Sequence, residues 1–117
     1  MTDATKKLLL DVVEAGESIL EHTGNRTLAD YTRDRFFRRA VEREFEIIGE
    51  ALNRLTRVDA ATAARISELR RIVDFRNRII HGYDTVDDQV VWGIVEQHLP
   101  VLVNEVRAIL RLSDTKG

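Results

Sequence analysis

At 117 residues the chain can bury one core but not two, and its 44% apolar and 32% charged residues fit a globular protein, not a disordered one. The absence of cysteine excludes disulfide scaffolds, thiolate zinc sites and cysteine nucleophiles. No stretch approaches the ~20 consecutive apolar residues of a membrane span, and Met1 to Lys7 show no apolar run behind a basic start, so a cytoplasmic protein is expected.

The net charge of −2 gives no bulk attraction for nucleic acid, but the charge is unevenly spread. From Arg33 to Arg78 the chain carries 12 arginines, no lysine and 8 acids, whereas the remainder carries 6 bases and 12 acids. An arginine-rich middle between acidic ends can offer a basic face to phosphates, or it can be a salt-bridged helix surface.

In chain order, the first helix is predicted from about Asp3 to Glu21, with Leu8, Leu9, Val12, Val13, Ile19 and Leu20 on one side. Thr23-Gly24-Asn25 ends it, with Gly24 or Asn25 suited to a left-handed C-terminal position. Leu28 to Tyr31 reads as a turn or short helical piece. The second helix, about Thr32 to Leu55, has a heptad-like seam of Phe37, Val41, Phe45, Ile48, Leu52 and Leu55, widened by Phe36, Ala40, Ile47 and Ala51. Gly49 inside it costs roughly 1 kcal/mol relative to alanine, which suggests close approach of another helix.

Asp59 can cap a third helix from Ala60 to Leu69, which continues or restarts as Arg70 to Ile80 and stops at Gly82. The fourth begins after Val86, with Asp87 or Asp88 as its cap, and runs to about Leu112. Pro100 lies within it and is expected to kink it, because proline lacks the N–H that bonds four residues back. The fold class is therefore an all-α antiparallel bundle of four main helices with a short extra helix, spanning residues 1–112 before a polar tail at 113–117.

Asp74-Phe75-Arg76-Asn77-Arg78-Ile79-Ile80-His81-Gly82-Tyr83 places a guanidinium, a carboxamide, an imidazole and a phenol beside a helix end. Asn77 and His81 stand four apart on one helical face, so the amide can orient the ring. Arg76 stands five before His81, about 140° round the helix. Ile79 and Ile80 are expected to anchor the turn in the core. This set suits cleavage of RNA without a metal. RNA carries its own nucleophile, the 2′-hydroxyl. An enzyme need only move two protons and stabilise charge on phosphorus. An imidazole's ordinary pKa, about 6.5, lies near working pH, and a guanidinium can grip two phosphate oxygens. The reaction wants both an acid and a base, and one chain offers a single histidine here. A symmetric dimer would supply two copies, and the apolar faces of the second and fourth helices are candidate material for it.

Arg76-Asn77-x-x-x-His81 resembles the R-x4-H signature of HEPN domains. The wider run to Tyr83, with Val86-Asp87 and Val91-Trp92, is similar to the HepT-like branch. Glu46-Ile47-Ile48-Gly49-Glu50-Ala51 and Leu99-Pro100-x-Leu102 extend the likeness over most of the chain from Phe36 onward. The resemblance implies a homodimeric, metal-independent endoribonuclease toxin needing no cofactor, paired with a minimal nucleotidyltransferase (MNT) antitoxin. It makes Arg76 and His81 catalytic, with Asn77 assisting, and Tyr83 the acceptor of an AMP group that silences the toxin. Asp74 departs from the small or apolar residue common at its position, and pairing with Arg78 would explain it.

Taken singly, each residue has a plainer reading. His81 fits a helix end, where the dipole favours a cation. Arg76 fits a surface ion pair, Asn77 a helix terminus, and Tyr83 an amphipathic cap over the core. Arg78 can touch RNA phosphate or form a salt bridge. Asp84, Asp87 and Asp88 suggest metal ligands, but capping explains two of them, so no metal site is assigned. His22 and His98 have no matched partners in the sequence, and Trp92 and the phenylalanines are expected in the core. Glu46 and Glu50 are expected to engage arginines across the bundle. The alternative functions are a non-catalytic nucleotide-binding or substrate-presenting partner of a nucleotidyltransferase, and a structural dimerisation domain.

Overall fold

The computed structural model describes residues 1–81 and 86–116, with side chains to residue 113 in the second stretch. All regular structure among them is helical: α1 (Asp3–Thr23), α2 (Leu28–Arg33), α3 (Arg35–Val58), α4 (Ala60–Ala63), α5 (Leu69–Ile80), α6 (Asp88–Gly93) and α7 (Leu99–Lys116). A π-helical turn, Ile94–His98, joins α6 to α7.

Short polar side chains start most of these helices by accepting backbone N–H groups that lack an intrahelical partner. Thr2 accepts from the N–H of Thr5, Asp34 from Phe37, Asp59 from Thr62 and Asp87 from Gln89. Thr27 and Asp30 form a reciprocal capping box, which makes α2 a true helical turn. Asp59 also accepts from the Thr5 hydroxyl at 3.1 Å, tying the start of α1 to the end of α3. Gly24 adopts a right-handed conformation (φ −60°, ψ −28°), so the left-handed ending expected there does not occur at that residue.

The seam read from α3 is the spine of the core. Phe37, Val41, Phe45, Ile48, Leu52 and Leu55 are all buried, on a helix that packs against α1 and α5, while α7 packs against α1 with Leu102 and Val106 in the same core. Apolar positions at helical spacing thus predicted the buried face correctly. Its widening did not hold throughout. Ala40 is exposed, and Phe36, expected in the core, is 90% exposed. Residue 36 follows the α3 cap by two positions, before any neighbouring helix covers that side. The α3 and α7 seams are consumed by this intrachain core, leaving little of them for a second subunit.

The third helical stretch breaks into α4 and α5, with a non-helical passage between Ala63 and Leu69. The fourth runs as one helical path from Asp88 to Lys116, four residues beyond the Leu112 end expected from the apolar pattern. A wide π turn lies just before Pro100. There the N–H of Leu99 donates to Ile94, five residues back, one register longer than an α-helix. Glu46 and Glu50 pair within α3, with Arg43 at 3.7 Å and Arg54 at 3.9 Å, and not across the bundle. His98 does have a partner: its Nδ1 lies 2.9 Å from Glu68, which also meets Arg71 at 3.3 Å. No helix among the described residues is long and apolar enough to cross a membrane.

Candidate functional site

Helix α5 packs on α3 through Leu69, Ile72, Val73 and Phe75, and the Phe75 ring meets Phe45 edge-on at 5.0 Å. That contact fixes the rotation of α5 and so the direction taken by the next residue, Arg76. Its aliphatic stem crosses α3 directly over Gly49. A Cβ on residue 49 would fall 2.4 Å from both Cβ and Cγ of Arg76 and 3.0 Å from its Cδ. The arginine stem therefore occupies the volume that any side chain at 49 would need. This is the close approach that an interior helix glycine suggested, made by one side chain.

The far end of Arg76 is also held. Its Nη1 donates to Oδ1 of Asn77 at 3.0 Å, while its Nε is buried without a described partner. The carboxamide of Asn77, four residues before the imidazole, directs its oxygen at the guanidinium. Both residues are half-buried, so the cation is seated against the bundle with part of it still open.

His81 caps the C-terminus of α5. Its backbone N–H donates to the carbonyl of Asn77 at 3.1 Å, and its side chain is exposed. One chain thus presents a seated guanidinium and, five residues on, an imidazole facing outward from the helix end. Of the two isoleucines expected to anchor this turn, Ile79 packs against the core, whereas Ile80 is 45% exposed. Arg78 is exposed, and no Asp74–Arg78 ion pair forms among the described residues. Gly82, Tyr83 and Asp84 lie outside the described residues. Among the described residues no three His, Asp or Glu gather as metal ligands would.

Two hollows adjoin this helix. One of about 510 Å³ lies between α5 and α6, with Arg70, Arg71, Asp74, Arg78 and Val90 among its walls. The other, about 910 Å³, runs from Arg35, Arg38 and Arg39 on α3 to Ile79 near the end of α5 and Val86 to Gln89 beyond it. Half-buried Glu42 lines this second groove, and burial holds its carboxyl above the ordinary glutamate value. The sequence hinted at the groove only through its arginine count, because which arginines share a wall depends on how α2 and α6 flank α3.

The family described as Ribonuclease HepT-like matches residues 12–109. A protein of Thermococcus cleftensis named "Probable ribonuclease HepT" is 33% identical over 102 residues, covering 87% of this chain and 92% of its own. Two Methanocaldococcus jannaschii proteins, both named as candidate RNases, are 30% identical over 104 residues and 26% identical over 106. The first alignment covers 89% of this chain and 94% of the relative, the second 91% and 87%. No solved structure matches the chain. The match across nearly the whole bundle, motif helix included, places the chain in the HepT-like ribonuclease family.

Proposed function

We propose that the chain is a metal-independent endoribonuclease toxin in which Arg76 and His81 act on RNA and Asn77 positions Arg76. The observation that carries this reading is the seating of Arg76. A guanidinium whose stem is wedged over Gly49 and whose head is tied to Asn77 reorganises little when charge builds on a phosphate. An exposed imidazole at the end of the same helix is placed where a substrate can exchange protons with it.

In the proposed reaction, the 2′-oxygen attacks the adjacent phosphorus as its proton passes to one imidazole, and the 5′-oxygen leaves with a proton from another. The products are a 2′,3′-cyclic phosphate and a 5′-hydroxyl. Two imidazoles require two chains, so the working form is a homodimer with paired His81 side chains. Ile80 and Val90, 45% and 40% exposed beside the motif, are apolar side chains left for that contact.

Regulation is proposed to run through Tyr83 and an MNT-type nucleotidyltransferase antitoxin. The phenol oxygen attacks the α-phosphorus of ATP, pyrophosphate leaves, and the added AMP brings bulk and negative charge to the RNA entrance. The chain has two tyrosines, and Tyr31 is fully buried, so tyrosine labelling of the folded protein falls to Tyr83.

The test is cleavage of a fluorescent RNA in excess EDTA. Wild type should cut in chelator and leave cyclic phosphate ends, and His81→Ala should lose at least about 100-fold in rate. Cleavage that stops in chelator, or persists in His81→Ala, overturns the reading. With the antitoxin and ATP, wild type should gain AMP masses; equal labelling of Tyr83→Phe removes the regulatory half.

A further inference from the structure

We propose that the N-terminal end of α3 is a binding subsite for single-stranded RNA, in which the Phe36 ring stacks on a base and Arg35 and Arg39 hold neighbouring phosphates. The proposal rests on the ribonuclease reading and extends it to where the substrate strand lies.

Two adjacent phenylalanines carry the argument. Phe37 is 9% exposed, packed edge-on to Tyr31 at 5.7 Å and covered by the Arg26 guanidinium 4.2 Å above its ring. Phe36, one residue earlier, is 90% exposed. The packed ring fixes the backbone under the free one, so Phe36 is displayed from a rigid helix. Around it lies a hollow of about 610 Å³ walled by Arg26, Asp30, Arg33, Asp34 and Arg35.

The acids there are already engaged. Asp34 caps the N–H of Phe37, and Asp30 accepts from the N–H of Thr27 and from Arg33. Those hydrogen bonds hold the Asp30 carboxyl below the ordinary aspartate value. Arg35 has no ion pair among the described residues, and Arg39 has only a loose one, 3.7 Å from Glu42.

Continuity with the motif comes from Arg35, which lines both this hollow and the 910 Å³ groove that reaches Ile79, two residues before His81. Phe36 and Glu42, which lies on that groove, are six residues apart, about 9 Å along α3 by the helical rise. A strand stacked on Phe36 can therefore follow the groove to the end of α5. Glu42, Asp87 and Asp88 temper the groove's charge, although Asp87 is occupied in capping Gln89.

A protein partner is the weaker occupant. Docking of a protein needs a contiguous apolar patch, and Phe36 stands alone: Arg35, Arg39 and Ala40 beside it are exposed, and no other exposed large apolar residue lies on α2 or the first half of α3. A lone ring among guanidinium groups suits alternating bases and phosphates, because stacking tolerates any base and arginine grips phosphate.

The experiment measures equilibrium binding of a fluorescein-labelled, mixed-sequence single-stranded RNA by anisotropy, in the full chain carrying His81→Ala to prevent turnover. Adding Phe36→Ala should weaken binding about ten-fold, and Phe36→Trp should retain it. Arg35→Ala should weaken binding and lower the slope of log affinity against log salt by about one. Unchanged affinity in Phe36→Ala overturns the proposal, as does a change of sedimenting mass in that variant with RNA affinity intact, which would assign Phe36 to a protein interface. The two readings fail separately. RNA that binds through Phe36 but is never cut removes the nuclease and leaves the subsite, whereas RNA cut equally well by the Phe36→Ala chain with intact His81, at unchanged KM, removes the subsite and leaves the nuclease.

Discussion

Helix α3 meets arginine in two ways, and the contrast separates chemistry from binding. Near its middle, Arg76 arrives from α5 and is confined: its stem fills the space over Gly49 and its head is tied to Asn77. At its N-terminal end, Arg33, Arg35 and Arg39 sit on the surface around a displayed Phe36. A group that stabilises a transition state gains from being fixed beforehand, since geometry set in advance does not have to be paid for during reaction. Groups that hold a flexible strand gain from mobility and number, since each phosphate contact adds a modest, salt-sensitive increment. The same residue type thus serves two purposes, distinguished by what lies under it.

The sharpest way to break this contrast is to fill the slot. Gly49→Ala puts a methyl 2.4 Å from Arg76 Cβ and Cγ, atoms too near the backbone to swing aside, so the arginine or the helix must shift. Overpacking should cost about 1–3 kcal/mol, partly offset by roughly 1 kcal/mol of helix propensity. A displacement near 1 Å should lower cleavage on the order of 10- to 100-fold. The diagnostic measurement is a double-mutant cycle. With Arg76→Ala already present, adding Gly49→Ala should cost almost no further activity, and in urea unfolding it should be neutral or stabilising because the obstructing stem has gone. Additive losses in both readouts would show that Gly49 serves only helix packing.

That slot also marks how far the sequence could be read. The α3 seam, the caps at Asp59 and Asp87 and the short α2 followed from spacing and residue type, because those effects act within one helix turn. Gly49 stood out as a costly residue, and the motif showed a cation and an imidazole five residues apart. That the glycine and the arginine are two halves of one feature was not legible: 27 positions separate them, and the link depends on the rotation of α5 set by Phe75 against Phe45. Phe36 misled for a related reason. Its apolar character says core, but its place before the first covering neighbour says surface, and only packing decides between them. The seams of α3 and α7 were likewise read as dimer material, yet the chain uses them for itself.

A smaller effect tests whether the open end of α3 rests on a passive floor. Tyr31 is fully buried against Phe37 and Trp92, and its hydroxyl has no described partner. Tyr31→Phe therefore loses no hydrogen bond and should change stability by less than about 1 kcal/mol at neutral pH. Burial, reinforced by Glu42 and Asp88, raises the phenol's pKa above its ordinary value of 10.0. Because the folded state favours the protonated phenol, this contribution is complete below about pH 10 and is lost as pH rises beyond it. Urea unfolding near pH 11 should show Tyr31→Phe outlasting wild type, while RNA affinity at neutral pH stays unchanged. A clear loss of RNA affinity in this variant would mean that the floor shapes the Phe36 display and is not passive.

The smallest effect concerns the carboxylate between the two arginine regions. Glu42 lies on the groove from Arg35 to Ile79, with Arg39 3.7 Å away. Burial raises its pKa, so the fold disfavours the very charge that phosphates approaching along this path would also oppose. Glu42→Gln keeps the shape, removes the charge and frees Arg39. RNA should bind about two- to five-fold more tightly at low salt, the scale of one partly exposed ion pair, and the gain should shrink as salt screens the groove. Arg76, seated a helix turn or more further along α3, should be indifferent to the change, so kcat stays level while KM falls. If kcat moves as well, the binding track and the catalytic slot are coupled, and the division drawn between fixed and mobile arginines gives way to one continuous electrostatic surface.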